Sequence, residues 1–509
     1  MSDSTPALTV ALATILAAAS ASAEVEIDWG AFVENDFRLA VDRVDEPGFD
    51  RNLSTIGFDL QAELVPDSLR FVGDLKFVWT GSTGDLWFEE LSSRNAANPW
   101  YLESSAAYID IVGLLPNLDL RVGRQIVQWG AADAFNPTNN LNALDLEDPL
   151  MFGETMANQM IRADWNPAAG DFIFSAVWVP VFQPALLPGS ARLVIADPSA
   201  EFPFARPADR LRAERLRNIW LQRPEYYEVA RPEVTAAMPE FSLANSQVGL
   251  RTQWLVGLFD MSLTYYRGRD SLPVSKASYS GTYSTGLTAE NGTPVLGVAT
   301  EVEVVYPRKQ VLGFDLAGQL PFLDDAGFWV EGAMVFPERV EMSFDITRVA
   351  PGAQILVGPV VESTPFFKWV AGMDYSVNEY LFVTGQFIHG FPDEFGVHAL
   401  HDYWVAGGDV KLWQERFLFR LFVIGQVPYR DDDLPLDEDG DGRVESFARG
   451  ATDDGTIAGY AINPSITVRP MDGLEMVLGS YLLMGHAESK LGMDGAGPSL
   501  AYLRAKASF

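Results

Sequence analysis

The sequence predicts an all-β fold: a closed antiparallel transmembrane β-barrel of about eighteen strands, with short turns at one end and long loops at the other. Segment after segment alternates apolar and polar residues with period two, which in a strand sends one set to lipid and the other to a lumen. The links between these segments alternate without exception between tight and long. The chain opens with an export signal, and no later stretch approaches the roughly 20 apolar residues of a spanning helix.

Composition removes other classes. With no Cys in 509 residues, disulfides, thiolate metal sites and Cys nucleophiles are excluded. A net charge of -33 argues against nucleic acid, whose phosphates need a basic surface. Mean hydropathy is +0.04 and aromatics make up 12%, too apolar for an acidic disordered chain. Ala7 to Ala19 has signal-peptide length, and Ala21-Ser22-Ala23 gives a small-residue cleavage site before Glu24. The expected domains are therefore a signal peptide over 1–23 and an outer-membrane barrel over 24–509. An n-region without Lys or Arg leaves the start codon open.

In chain order, strands are expected at 24–41, 52–65, 69–80, 102–115, 118–129, 158–166, 170–181, 246–257, 258–268, 308–320, 327–337, 364–376, 379–389, 402–413, 416–426, 458–469, 473–484 and 499–509. Leu69, Phe71, Leu75, Phe77 and Trp79 would face lipid while Arg70, Asp74 and Lys76 face inward. Even strands pass to the next through Pro66-Asp67-Ser68, Leu115-Pro116-Asn117, Asn166-Pro167, Val377-Asn378-Glu379 and Asp472-Gly473, all turn-forming. Odd strands pass on through long polar links, the outer-membrane asymmetry. Closure leaves no unpaired edge in hydrocarbon. The last strand alternates to a terminal Phe509, which looks like the signal read by the barrel-assembly machinery. Trp29, Trp79, Trp129, Trp165, Trp404 and Tyr460, at strand ends, would form interfacial girdles in contact with outer-membrane lipid.

Eighteen strands enclose a water-capable lumen. Its expected lining carries both signs: Asp59, Glu63, Arg70, Asp74, Lys76, Arg121, Arg162, Asp164, Asp315, Glu331, Lys368 and Asp374. A selectivity lining and a wall stiffened by cross-strand ion pairs both fit this list. Arg124 breaks the register, and a bulge after Val122 is expected to turn it inward.

The link over 182–245 exceeds an ordinary surface loop. Arginines crowd it, among them Arg206, Arg210, Arg212, Arg215 and Arg217, and Pro207 to Gln222 reads as a helix opened by proline. The segment would form either a basic constriction or a cap whose arginines meet loop carboxylates or lipopolysaccharide phosphates. A second loop follows the D-x-D-x-D-G layout at Asp437, Asp439, Asp441 and Gly442, with Glu445 at the ninth position. Ala448 stands where the closing carboxylate of an EF-hand belongs, so the alternatives are a structural calcium site and a solvated acidic loop. Of four histidines, His398 and His401 stand near Asp393 and Glu394 as a possible metal site or dyad; ordinary loop histidines are commoner, and no enzyme is expected.

One stretch carries a resemblance. Arg121-Val122-Gly123-Arg124-Gln125-Ile126-Val127-Gln128-Trp129-Gly130, followed by Phe135-Asn136-Pro137, resembles a domain-of-unknown-function family of Gram-negative outer-membrane barrels with a G-R-Q-x-x-x-W-G strand end. Similar G-R-Q strands occur in the eighteen-stranded alginate-export porins. The resemblance implies an outer-membrane channel or accessory exporter, with Gly123 permitting close strand approach or a bulge and Arg124 and Gln125 anchoring the next loop. The expected function is a porin for solute passage. The alternative is an exporter of lipid, hydrophobic compound or polymer working with an inner-membrane pump.

Overall fold

A computed structural model describes residues 25–42, 48–81, 92–133, 135–148, 150, 153–167, 172–187, 207–230, 232–346, 348, 355–397, 399–430, 435–436, 446–447, 456–486, 489–492 and 497–509. The signal segment 1–23 lies outside them, as do Arg206, His398, Asp437, Asp439, Asp441 and Glu445.

Eighteen strands close into one antiparallel barrel. They are β1 Glu26–Ala40, β2 Gly48–Val65, β3 Leu69–Trp79, β4 in two pieces (Trp100–Glu103 and Ala107–Leu115), β5 Leu118–Gln125, β6 Asn158–Trp165, β7 Phe172–Val179, β8 Gln247–Val256 and β9 Phe259–Arg269. The second half comprises β10 Arg308–Leu320, β11 Ala326–Pro337, β12 Phe366–Ser376, β13 Leu381–His389, β14 Asp402–Leu412, β15 Phe417–Gln426, β16 Gly459–Met471, β17 Leu474–Gly485 and β18 Leu500–Ser508. The first strand pairs with the last, from Phe32↔Ser508 to Ala40↔Leu500, so no edge remains.

Each expected strand is present, with ends shifted by a few residues. Alternation holds: Phe58, Leu75, Leu263 and Leu478 are exposed on the outer wall, where lipid replaces water, and charged neighbours turn inward. Every turn from an even strand is short. At Asn117 the backbone is left-handed (φ 63°), a conformation Asn tolerates because its short polar side chain bonds locally.

Two expectations need correction at the β3–β6 wall. The bulge is not after Val122, since β5 pairs with β6 without a shift from Leu118↔Trp165 to Gln125↔Asn158. Strand β4 carries it instead, at Ser104–Ala106, between Lys76↔Glu103 and Gly73↔Ala107. Arg124 keeps the register of outward-facing Val122 and donates its Nε to the Ser104 carbonyl at 2.6 Å. Trp129 is likewise no girdle residue. The strand ends at Gln125, and Trp129 turns into the barrel, 2% exposed, beside Leu141.

Beyond the barrel, the loops carry structure of their own. Val274–Thr288 and Pro294–Val305 form a hairpin in the fifth loop, flanked by parallel strands Tyr227–Val229 and Glu233–Ala237 on one side and Ser343–Asp345 on the other. The expected helix is found at Pro207–Gln222.

Candidate functional site

The inner wall divides into two zones. Toward the turn end it is polar and ion-paired. Asp110 of β4 sits between Arg70 (2.9 Å) and Arg121 (2.6 Å), and Arg121 also stacks over the Tyr108 ring. Arg162 meets Asp164 at 2.8 Å, Arg251 meets Asp315 at 3.5 Å, and Arg420 meets Asp409 at 2.7 Å. Lys76 pairs with Glu103 at 2.9 Å. Glu63 accepts the Asp67 amide at 2.7 Å beside the turn, while Asp59 and Asp374 stand against Gly30 and Gly327 on neighbouring strands.

Asp74 does structural work. Its Oδ1 accepts the amides of Ser105 (2.7 Å) and Ala106 (2.6 Å) and the Ser104 hydroxyl (3.1 Å), satisfying the donors that the β4 bulge frees.

From β11 to β18 the inner wall also carries an apolar belt. Trp329, Val370, Ile388, Tyr403, Ile424, Ala461, Tyr481 and Leu500, from eight strands between β11 and β18, form one buried cluster with Ala132 of the third loop. Phe135 and Leu150 of that loop pack against it, and Phe135 stacks on Phe391 at 4.8 Å. The third loop (126–157) therefore folds inward across the lumen.

Its geometry follows from the motif that the sequence displays. Asn142 fixes the root: its Oδ1 accepts the Val127 amide at 2.8 Å, and its Nδ2 donates to the carbonyls of Met156 (2.7 Å) and Gln125 (3.2 Å). Gln125, 1% exposed, holds the Met160 carbonyl at 3.2 Å. A side chain at Gly123 would strike the Ala107 carbonyl and the Tyr108 backbone, so close strand approach is what this glycine permits. Gly130 has φ 102°, and a side chain there would collide with the Glu331 carboxylate.

Two carboxylates then pin the loop. Glu331, on β11 and 0% exposed, accepts the amides of Ala131 (2.9 Å), Ala132 (3.2 Å) and Thr138 (2.8 Å) and the Thr138 hydroxyl (2.7 Å). At the far end Asp148 receives two hydrogen bonds from Arg38 of β1, both at 2.6 Å, and also pairs with Arg51 of β2. Arg38 is simultaneously bound to Asp36, so a 1% exposed guanidinium lies between two carboxylates. Burial pushes the Asp148 carboxyl up, but hydrogen bonds and charge from Arg38 outweigh it and hold the group below the usual range.

Around the Asp148 pin the loop is acidic. Burial raises the carboxyls of Asp145, Glu147 and Glu154, and repulsion among these groups, Asp148 and Glu103 contributes in the same direction. Asp133 is raised too, by burial and then by Asp374.

The seventh and ninth loops pack against the same cluster through Phe391 and Leu491. Buried Glu394 accepts from the Tyr403 hydroxyl (2.6 Å), the Phe391 amide (2.9 Å) and the His401 amide and ring (both 3.1 Å). Lys490 of the ninth loop meets Asp393 at 2.5 Å, and Lys368 donates to the Pro392 carbonyl at 3.2 Å. His401 is thus tied to Glu394; among the described residues no three His, Asp or Glu are grouped to hold a metal.

The arginine-rich segment lies elsewhere. Its helix packs Ala213 and Leu216 on Ile346, Ile355 and Phe344 of the sixth loop, with Arg212 near Asp209 (3.9 Å) and Arg215 exposed. The side chains of Arg210 and Arg217 are outside the description. Sequence reasoning thus marked Glu331, Asp74 and the G-R-Q…W-G stretch, and missed Arg38, Arg51 and Asp148. The turn Asn136-Pro137, which presents Thr138 to Glu331, was the available signal for a shaped third loop.

A family model described as a protein of unknown function (DUF1302) matches residues 108–461, more than two thirds of the sequence, including the motif and Glu331. The chain belongs to this family. No curated protein matches it. Among solved structures it is similar to Pseudomonas aeruginosa OpdQ (10% identity, 95% of this chain and 98% of that one, TM-score 0.47) and to P. aeruginosa OpdK with vanillate (8%, 96% and 98%, TM-score 0.46). It is also similar to OmpT, an outer membrane protein of Vibrio cholerae (10%, 95% and 99%, TM-score 0.35). Likenesses this remote assign no substrate to the present DUF1302 chain.

Proposed function

We propose that this DUF1302 barrel is a selective outer-membrane channel whose filter is the inward third loop, with a preference for cations. The observation that carries the reading is the loop's suspension between Glu331 and the Arg38–Asp148 pair, with Asp145, Glu147 and Glu154 along its course. The ion pairs on the wall largely neutralise one another, and the loop adds a cluster of carboxylates to the acidic Asp59 and Asp374. The arginine segment is then a cap. Lipopolysaccharide phosphates suit its exposed Arg215, and the barrel-assembly machinery suits the strand ending in Phe509. Residues 1–23 act as the export signal in this reading, and Asp437, Asp439, Asp441 and Glu445 hold a structural calcium. Reversal potential in a planar bilayer under a salt gradient tests the filter: a cation-selective potential is expected, and an anion-selective one overturns it.

A second reading is favoured by the apolar inner belt from Trp329 to Leu500, which becomes a lumen surface only where the third loop moves off it. Such a wall suits a lipid or hydrophobic compound handed on by an inner-membrane pump. Lipid or detergent bound in the lumen of the purified protein would support it, and an empty lumen with ohmic conductance would oppose it.

A further inference from the structure

One seam of the barrel is interrupted at mid-strand. Strands β16 and β17 pair at Ile462↔Leu482 and again at Ser465↔Gly479, but Asn463 and Pro464 drop out of the ladder between them. The register sets Pro464 opposite Ser480. Proline has no N–H, so the Ser480 carbonyl faces a nitrogen that cannot donate. Proline in sheets belongs at edges and bulges, and hydrocarbon supplies no water to replace the missing donor.

The outer wall is hollow at the same place. Val410, Phe419, Leu421, Pro464, Ile466 and Leu478 surround a depression of about 550 Å³ on the lipid face, within the size range of small-molecule sites (~300–1,000 Å³). Behind the gap, on the lumen side, the Tyr502 hydroxyl of β18 reaches across β17 to Asn463 Oδ1 at 3.2 Å. It crosses at Gly479, where any side chain would collide with Tyr502 and Ser465. A second depression of about 480 Å³, beside Phe328, Val330, Ala371 and Met373, has an unbroken β11–β12 ladder behind it. The hollow with the missing hydrogen bond is therefore distinct from ordinary wall relief.

We propose that the β16–β17 seam at Pro464 and Ser480 is a lateral port, bolted by Tyr502 and Asn463, through which a molecule of acyl-chain width passes between lumen and bilayer. The occupant follows from the surroundings: the depression opens at mid-strand on a wall whose neighbours are lipid chains. The inference rests on the hydrophobic-cargo reading above.

The absence of native cysteine makes the test direct. Ile462 and Leu482 oppose each other on the lipid face beside the gap; I462C/L482C locks the seam on oxidation. V330C/A371C, opposed in the unbroken β11–β12 ladder, is the control. The probe is N-phenyl-1-naphthylamine, which fluoresces in hydrocarbon, added to outer-membrane vesicles with a lipopolysaccharide outer leaflet. Entry should fall to the level of protein-free vesicles when I462C/L482C is oxidised, return on reduction, and be unaffected in V330C/A371C. Pro464→Val, which restores the donor, should slow entry without a cross-link. Undiminished entry through the locked seam overturns the port and leaves hydrophobic transport standing. Wild-type vesicles no faster than protein-free ones would end both.

Discussion

Thr138 and Glu331 stand 193 residues apart and are joined by two hydrogen bonds, amide to carboxylate at 2.8 Å and hydroxyl to carboxylate at 2.7 Å. This contact turns a surface connection into a partition across the lumen. Charge-assisted bonds of this kind contribute roughly 1.5–3 kcal/mol each when buried, before the cost of burying the carboxylate. Glu331→Ala should free the loop and raise both single-channel conductance and its current noise. Glu331→Gln should show a smaller effect of the same sign, since one amide oxygen still accepts.

The opposite pin predicts a parallel result. Asp148→Ala removes the acceptor of Arg38 and Arg51 and leaves Arg38 with Asp36. Losing one partner of a buried pair typically costs about 3–5 kcal/mol, and less is expected at a partly open site such as this one. The double variant with Glu331→Ala should open the channel more than either change alone, read as mean conductance in the same bilayer.

These two pins were unequally legible. Glu331 could be read because period-two alternation places it inward from sequence alone. Asp148 could not, because its partners Arg38 and Arg51 lie on β1 and β2, and no local pattern links a loop residue to strands about 100 positions away. The strand ends at Gln125 although alternation continues to Trp129; only the contact with Leu141 and Gly249 shows that this ring turns inside. The fifth-loop hairpin was passed over as polar loop. Its signal was present in Asn291-Gly292, a turn pair flanked by β-branched and aromatic residues.

Asp74 separates scaffold from lining. Because its carboxylate satisfies the β4 bulge, Asp74→Ala should lower resistance to urea unfolding by about 1–3 kcal/mol. Ion selectivity should stay unchanged, and a shift in reversal potential would instead make Asp74 part of the filter.

Acid should separate selectivity from the partition. Asp145, Glu147 and Glu154 titrate above the usual carboxylate range, so they neutralise first as pH falls. Their protonated forms favour the packed loop, and that contribution fades as pH rises through the raised values. Asp148 is held below its usual value, so its pin persists until pH drops through that lower range. Cation preference should therefore decline at a higher pH than the one at which the Asp148 pin lets go.

The central claim is that the third loop is the filter of a conducting barrel. Its most direct test is planar-bilayer recording of the wild type beside a variant with 131–148 replaced by a short glycine-serine link. Small, ohmic, cation-preferring channels are expected in the wild type, and larger, less selective ones once the pinned part of the loop is gone. Equal conductance and equal reversal potential in the two proteins would contradict it.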